Sequence, residues 1–472
     1  MRYRKESDSL GEKQIPANAY YGIQTARALD NFPITGEKPH PELVRSIAII
    51  KKVAAKANAE IGLLDSSVAA AIKKAAQEME LGMWNNQIVV DTIQGGAGTS
   101  LNMNVNEVLA NRAIEILKNS DVSVSTNSHV NMSQSTNDVI PTAVHLTLLK
   151  MAKGLCASLN ALHEQLVIKE NELDDVIKMG RTHLQDAIPI RLGQEFGAYA
   201  CVIKRDIARI EQSTQQLNKI SIGATAIGTG LNARIDYREK VMEFLIEETD
   251  YPLETAENLV DSTQNTDRYT EISSTLKILA INLSKIANDL RLLSSGPLTG
   301  FNEINLPARQ PGSSIMPGKV NPVIPEVINQ ISFQVIGNDH TISLASEAGQ
   351  LELNVMGPVI VSNLLKSFTI LTNGIDVLSE FAIKGITANV ERCRGLVESS
   401  VGIVTAINPH VSYEVAAKVA KEALVSGKSV RSICLQEGHL TEEELDIILD
   451  AKEMTEPGIS GSVLLKKTVG IS

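Results

Sequence analysis

The sequence predicts a mainly α-helical protein with a central bundle of long helices. In one segment, apolar residues alternate in steps of four and three over three heptads, which places them on one face of a helix. They are Ile272, Leu276, Leu279, Leu283, Ile286, Leu290 and Leu293. The alternation returns at Val361, Leu364, Phe368, Leu371, Ile375 and Leu378, and more weakly at Val327, Ile331, Val335, Ile342 and Ala345. Each apolar stripe needs partner helices to cover it.

Two further long helices are predicted earlier in the chain. One follows Pro141, which suits an early helical position, and the other runs from about Leu192 to Ile220. Helices of about 30 residues reach ~45 Å, which exceeds the width of a small domain. We therefore expect the apolar stripes to pair with helices of other subunits. The C-terminal part has shorter patterns, and Thr441 to Glu444 is typical of a capping box.

Composition excludes several classes of protein. The net charge of −11 argues against a nucleic-acid partner, because such proteins concentrate Lys and Arg. No apolar run approaches the ~20 residues needed to span a bilayer, and the first ten residues carry both signs of charge without an apolar core. We expect no membrane partner and a cytoplasmic location. The four cysteines, without CxxC spacing, suit reduced, buried thiols.

Two polar connections precede predicted helices. The segment Gly95 to Ser100 can aim backbone N–H groups at an anion, although Thr99 or Ser100 as a plain helix cap explains it equally well. The segment Ser133 to Asp138 gathers hydroxyls and amides ahead of Pro141, where they can grip a carboxylate. The alternative is that Asn137 or Asp138 only caps the helix.

The segment Gly180 to Asp186 supplies an acid/base candidate, His183, next to the hydroxyl donor Thr182. A lone histidine is more often structural. The other seven histidines form no HxxxH or HxH pair, so we expect no catalytic zinc and no other metal site.

The segment Gly312 to Pro322 is the most specific feature of the chain. Five residues separate Gly312 from Gly318, and Val320 stands where a phosphate loop would have Ser or Thr for magnesium, so nucleotide binding is excluded. Backbone N–H groups in the Gly-Ser-Ser turn can stabilise an alkoxide at Ser313, and Lys319 adds a positive charge. The segment has the composition of a mobile catalytic loop.

These four segments, in this order and separated by long helices, resemble the aspartase/fumarase superfamily over essentially the whole chain. Gly312 to Asn321 match its signature GSSxMPxKxN. The resemblance implies three mostly helical domains, which we place at 1–138, 139–395 and 396–472. It also implies a homotetramer with a twenty-helix core, four active sites each built from three subunits, and no cofactor.

The resemblance also assigns roles to individual residues. Ser313 is expected to be the general base, supported by Ser314, and Glu326 the acid that often pairs with His183. Donors to the substrate's β-carboxylate are expected to be Thr99, Ser135, Thr136 and Thr182. Lys319 and Asn321 match the residues that hold the other carboxylate, while Asn137 and His183 match groups near the departing amine.

Within the superfamily, the aspartase branch is favoured. Fumarases typically have two serines where Ser135-Thr136 stands, and usually a tryptophan where Tyr21 precedes Gly22. We therefore expect reversible removal of ammonia from L-aspartate to give fumarate, through an aci-carboxylate intermediate. A class II fumarase is the alternative. A non-enzymatic helical scaffold is a remote one, because every matched polar position is present.

Overall fold

The computed structural model describes residues 2–118 and 123–468, and α-helices dominate them. The earlier helices are α1 (Ile23–Asn31), α2 (Pro41–Glu60), α3 (Ser66–Glu80), α4 (Thr99–Leu117), α5 (Thr136–Glu172), α6 (Leu192–Thr214), α7 (Ile235–Thr249) and α8 (Leu259–Gln264). The later helices are α9 (Asp267–Leu293), α10 (Val323–Glu347), α11 (Gly357–Phe381), α12 (Val390–Ser399), α13 (Val404–Ile407), α14 (Tyr413–Ser426), α15 (Val430–Glu437), α16 (Glu442–Ile448) and α17 (Ser462–Thr468).

Short strands form two-stranded sheets. The antiparallel pairs are β1 (Tyr3–Asp8) with β2 (Gly11–Pro16), β3 (Ile177–Thr182) with β4 (Gln185–Arg191), and β7 (Ile304–Asn305) with β8 (Thr387–Ala388). The parallel pair is β5 (Lys219–Ile220) with β6 (Glu254–Thr255). These strands are short and form no larger sheet within the described residues, so the predicted mainly α fold is confirmed.

The five predicted long helices are α5, α6, α9, α10 and α11. All seven heptad residues of α9 and all six of α11 are buried within the single chain. The expectation that these stripes pair with other subunits is therefore wrong, because helices of the same chain already cover them. A different face of α10 stays exposed at Phe333, Ile336 and Leu344.

Two helix boundaries differ from the prediction. Helix α5 begins at Thr136, so Pro141 lies inside the helix rather than at its start. This position is tolerated close to the N-terminus, where a missing N–H removes only one early helical bond. Helix α6 ends at Thr214, and a short 3-10 turn then leads into β5 at Lys219.

The described residues divide into two compact units. Unit 1 comprises Met1–Ala157, Ala208–Ala280 and Ser332–Thr372, and unit 2 comprises Ser158–Ile207, Ile281–Ile331 and Asn373–Ser472. The five long helices contribute residues to both units. The three-domain division at 138 and 395 stays a prediction.

Buried polar contacts organise unit 1. Glu107 of α4 accepts hydrogen bonds from the backbone N–H groups of Gly22, Gln24 and Thr25, which holds the start of α1. Asn338 of α10 donates to the hydroxyl of Ser367 on α11 at 2.9 Å. A buried polar group with a partner adds specificity at little cost to stability.

A small apolar core organises the C-terminal part of unit 2. Met179 of β3 packs with side chains from α12 to α16, among them Val419, Ile433 and Leu445. The capping box at Thr441 is confirmed, since its hydroxyl accepts from the N–H of Glu444 and the Glu444 carboxylate accepts from the N–H of Thr441. The short helices of this region follow from such local signals.

Two expectations about individual features need correction. Cys393 and Cys434 are buried as expected, but Cys156 is only partly buried and Cys201 is exposed. By length and composition, helix α5 is long and apolar enough to cross a membrane, contrary to the expectation that no segment of the chain is. Of its most apolar 18-residue stretch, 56% is buried within the protein, as in the core helix of many proteins that do not span membranes.

Candidate functional site

The first site segment ends in the N-terminus of α4. Gly96, Ala97 and Gly98 all have positive φ, and Gly98 is the N-cap without any side-chain cap bond. Thr99 is therefore the first helical residue, and its side chain is exposed. The plain-cap explanation for Thr99 or Ser100 is wrong, because the cap position falls on a glycine. The Thr99 hydroxyl lies at the positive end of α4.

The second segment is the N-terminus of α5. Ser135 precedes the helix, and its hydroxyl accepts from the N–H of Asn137 at 3.2 Å. Asp138 accepts from the N–H of Ser135 at 2.9 Å, which completes a reciprocal cap. Asp138 is thus a cap, as the alternative held, whereas the Asn137 amide donates to the carbonyl of Ala226 at 2.7 Å.

The structure brings these first two segments together inside unit 1. Gly98 lies against the second turn of α5, where an added Cβ would sit 3.4 Å from two carbons of the Ile140 side chain. A Cβ there would make an ordinary contact with α5, and it is the φ of 94° that favours glycine. The N-termini of α4 and α5 therefore lie side by side, with Thr99 on one and Ser135 to Asn137 on the other.

The third segment is the tip of the β3–β4 hairpin in unit 2. Thr182 pairs with Gln185, and the two turn residues between them, His183 and Leu184, both have left-handed φ, 56° and 59°. A two-residue turn with two positive φ values is type I′. The side chains of Thr182 and His183 are exposed at this tip.

A buried ionic network supports the hairpin. The Glu303 carboxylate is fully buried, accepts from Arg181 at 2.9 Å, and lies 3.3 Å from the ammonium of Lys178. Lys178 also donates to Glu195 at 2.8 Å. Because Arg181 directly precedes Thr182, this network fixes the strand that presents Thr182 and His183. Sequence reasoning missed Glu303, which lies outside the four site segments and in no motif.

The fourth segment, residues 312–322, is a loop closed on itself in unit 2. The N–H of Gly312 donates to the carbonyl of Lys319 at 2.8 Å, and the Asn321 amide donates to the carbonyl of Gly312 at 2.8 Å. Gly312 is required here, because an added Cβ would meet the Lys319 carbonyl oxygen at 2.6 Å. Lys319 and Asn321 also line a cavity of about 740 Å³, to which Arg291 contributes.

Ser313 sits at the turn of this loop. Its Oγ accepts hydrogen bonds from the N–H groups of Ile315 at 3.2 Å and Met316 at 3.1 Å. Two donors aimed at the oxygen stabilise the alkoxide more than the hydroxyl, since hydrogen bonds to a charged group are stronger. The neighbouring Ser314 is exposed.

The predicted pairing of Glu326 with His183 is not formed within the described single chain. Glu326 lies half-buried in the first turn of α10, and within the described residues no hydrogen bond joins it to His183. Both residues belong to unit 2 of the same chain. Their expected pairing therefore remains a prediction that requires residues from different subunits.

The described residues, 2–118 and 123–468, contain no group of three or more His, Cys, Asp or Glu side chains that could hold a metal ion. The predicted site residues of the four segments carry hydroxyls, amides, one imidazole and one ammonium. Such a set suits the binding of carboxylates by hydrogen bonds and positive charge.

The site segments fall within the part of the chain that matches known families. Residues 11–337 match the family model described as Lyase, and residues 403–456 match that of the fumarase C C-terminus. An aspartate ammonia-lyase of Bacillus subtilis (strain 168) is 58% identical over 468 residues, which cover 98% of each chain.

Solved structures agree with the fold. The cobalt-bound fumarate lyase:delta crystallin of Brucella melitensis aligns with a TM-score of 0.94 and 48% identity, covering 97% of this chain and 100% of that one. A recombinant class II fumarase of Schistosoma mansoni aligns with a TM-score of 0.93 and 37% identity over the same shares.

Proposed function

We propose that this chain, which belongs to the lyase family, catalyses the reversible removal of ammonia from L-aspartate to give fumarate. The observation that carries the proposal is the geometry of Ser313, whose Oγ accepts from two backbone N–H groups. The high identity to an aspartate ammonia-lyase over 98% of the chain favours the amine over a hydroxyl as the leaving group.

Ser313 acts as the general base in this proposal. Its alkoxide removes a proton from C3 of L-aspartate, the carbon beside the β-carboxylate. The electron pair moves into that carboxylate and forms an aci-carboxylate dianion. The proton is weakly acidic, so the barrier falls only if the site binds the extra negative charge more strongly than the ground state.

The hydroxyls of Thr99, Ser135, Thr136 and Thr182 donate to the β-carboxylate. Lys319 and Asn321 hold the other carboxylate, which fixes C3 beside Ser313. When the dianion collapses, the C2–N bond breaks, its electrons leave with nitrogen as ammonia, and the C2–C3 double bond of fumarate forms. Asn137 and His183 lie near the departing amine.

We further propose that the enzyme is a cytoplasmic homotetramer whose sites each use three subunits. In the single chain, Thr99, Thr182, His183 and Lys319 are all exposed. Hydrogen bonds to a dianion are strong only where water is excluded. Neighbouring subunits that cover these segments would provide that exclusion.

An assay of the purified protein tests the reaction. The protein is incubated with L-aspartate and separately with L-malate, and fumarate is followed by its ultraviolet absorbance. We expect fumarate to form much faster from L-aspartate. Faster formation from L-malate would instead identify a fumarase, and no turnover of either substrate by the assembled protein would contradict the proposal.

A further inference from the structure

We propose that Asp138 is a positioning residue, which ties the substrate turn Ser135–Asn137 to a second loop, Gly223–Ala226, so that the two segments form one rigid wall. The loop matches no assigned site segment. The hydrogen bonds of Asp138 do not depend on the proposed function, and only the identity of the ligand rests on it.

The Asp138 side chain lies at the junction of the two segments and is fully buried. One carboxylate oxygen accepts from the N–H of Ser135 at 2.9 Å. The other accepts from the N–H of Gly223 at 3.0 Å and of Thr225 at 3.1 Å. A buried carboxylate that receives three backbone donors fixes all three amides in place.

A second bond joins the same two segments near the expected substrate. The Asn137 side chain donates to the carbonyl of Ala226 at 2.7 Å, which sets the orientation of its amide. The loop itself is constrained, with φ of 81° at Gly223 and 57° at Thr225. An added Cβ at Gly223 would lie 2.2 Å from Cγ of Arg238, so the loop requires glycine there.

A buried cation supports the other side of the turn. The Lys51 ammonium of α2 donates to the side-chain oxygens of Asn131 and Gln134, both at 2.9 Å. Burial lowers the pKa of Lys51 to about 7, against the opposing charge of Asp138. Burial also raises the pKa of Asp138 to about 6, against its three backbone donors and Lys51. Each charge therefore makes the other less costly to bury.

The consequence is a substrate turn with little freedom to adjust. Donors that are already in place need no reorganisation when negative charge develops on the substrate. Releasing the loop from Asp138 would let Ser135, Thr136 and Asn137 shift, while the Ser313 loop, which lies in unit 2, keeps its internal bonds. Substrate binding and stabilisation of the dianion should both suffer, because Ser135 and Thr136 are the proposed donors to the β-carboxylate.

The first test is Asp138→Asn in the assembled enzyme. An asparagine amide has one acceptor oxygen, which can face either Ser135 or the loop. Its N–H groups then face a backbone donor on the other side, so the link between the turn and the loop breaks. We expect KM for L-aspartate to rise and kcat to fall, so that kcat/KM falls at least about tenfold. Asp138→Glu, which keeps the charge, should recover part of the KM change.

Asp339→Asn is the matched control. Asp339 is also a buried carboxylate of unit 1, but it accepts from Ser273 at 2.8 Å and pairs with Lys277 between α9 and α10. We expect it to lower the melting temperature without changing KM. An unchanged KM in Asp138→Asn, or an equal KM change in both variants, would overturn the positioning role.

Hydrogen exchange in the unmodified enzyme tests the same link without relying on a variant. Addition of fumarate should slow exchange in peptides covering 131–140 and 219–230 together. Slowing in the first peptide alone would overturn the proposal. If fumarate does not bind and the assay shows no turnover, the proposed function fails instead. The link would then be judged in the ligand-free protein, where Asp138→Asn should speed exchange in both peptides and equal rates would refute it.

Discussion

The Oγ of Ser313 receives two backbone N–H bonds inside a loop that is closed by the Gly312–Lys319 and Asn321–Gly312 contacts. These donors do not depend on other side chains, so the loop carries its own stabilisation of the alkoxide. Ser314, which follows directly, presents its side chain to solvent. The two neighbouring serines therefore differ in their surroundings. Ser313 receives N–H donors that stabilise an alkoxide, whereas Ser314 faces solvent.

Ser313→Ala should lower kcat by about 10²-fold or more, because a positioned base contributes at least that much. Ser314→Ala is the control and should keep most of the activity. Steady-state assays with L-aspartate measure both, after circular dichroism and gel filtration have established that each variant is folded and assembled. Unchanged turnover in Ser313→Ala would remove this residue from the role of base.

A buried histidine predicts how stability depends on pH. His145 of α5 is buried, its ring contacts the carbonyl of Leu217 at 3.1 Å, and burial together with the charge of Arg268 lowers its pKa to about 4. Between its ordinary pKa of 6.5 and about 4, the unfolded chain binds a proton that the folded protein does not. The contribution of His145 to stability is therefore lost as pH falls through this window, by up to ~3 kcal/mol.

His145→Gln should remove this contribution to the pH dependence. Between pH 7 and pH 5, the free energy of unfolding should fall less in the variant than in the parent protein. Urea denaturation at the two pH values measures it. A difference that is the same at both pH values would show that His145 does not titrate in this range.

The sequence suggests candidate site residues more readily than the residues that support them. Ser313 and His183 stand in segments rich in glycine and polar residues, which is a local signal. Glu303 and Lys51 act through partners far away in the chain, and a single sequence contains no sign of such pairing. Asp138 was considered as a helix cap, and its bonds to Gly223 and Thr225 follow only from the tertiary structure.

At the level of secondary structure, the hairpin tip places a proposed site residue, His183, next to Leu184 in a strained backbone conformation. Both residues have left-handed φ, where a side chain other than Asn, Asp or Gly costs about 1 kcal/mol. The strand network at Glu303 and Arg181 holds the turn despite that cost. The hairpin was not predicted as strands, because its polar residues do not alternate with apolar ones.

Leu184→Asn should raise the melting temperature, because asparagine suits the type I′ turn better than leucine. The expected gain is about 0.5–1 kcal/mol in the free energy of unfolding. Ile188→Asn is the matched control, since Ile188 is an exposed residue of β4 in the same hairpin. It should be neutral or destabilising. Calorimetry measures both, and a lower melting temperature for Leu184→Asn would contradict the strain argument.

The long helices were predictable because their apolar periodicity extends over several turns, whereas short helices such as α8 and α13 depend on their neighbours. The heptads also led to a wrong expectation about subunit contacts. An apolar stripe indicates that a helix face is covered, but not whether the same chain or another subunit covers it. All heptad residues of α9 and α11 are buried in the single chain. In the proposed tetramer, contacts between subunits would use other faces of the molecule.

The exposed face of α10 is the surface on which assembly should depend. Phe333 is 64% exposed and Leu344 is 59% exposed, although both lie on a long central helix. Phenylalanine at such a position is costly to leave in water and contributes about 1.5–3 kcal/mol when it becomes buried. A second copy of the chain that packs on this face would bury both side chains.

Phe333→Glu should therefore dissociate the enzyme and abolish its activity, because each site would lose residues from neighbouring subunits. Leu424→Glu is the matched control, since Leu424 is 74% exposed on α14 and belongs to the C-terminal part. It should leave mass and turnover unchanged. Light scattering gives the mass, circular dichroism reports the helical content, and the fumarate assay reports activity. A dissociated Phe333→Glu variant that still turns over L-aspartate would show that one chain builds a complete site.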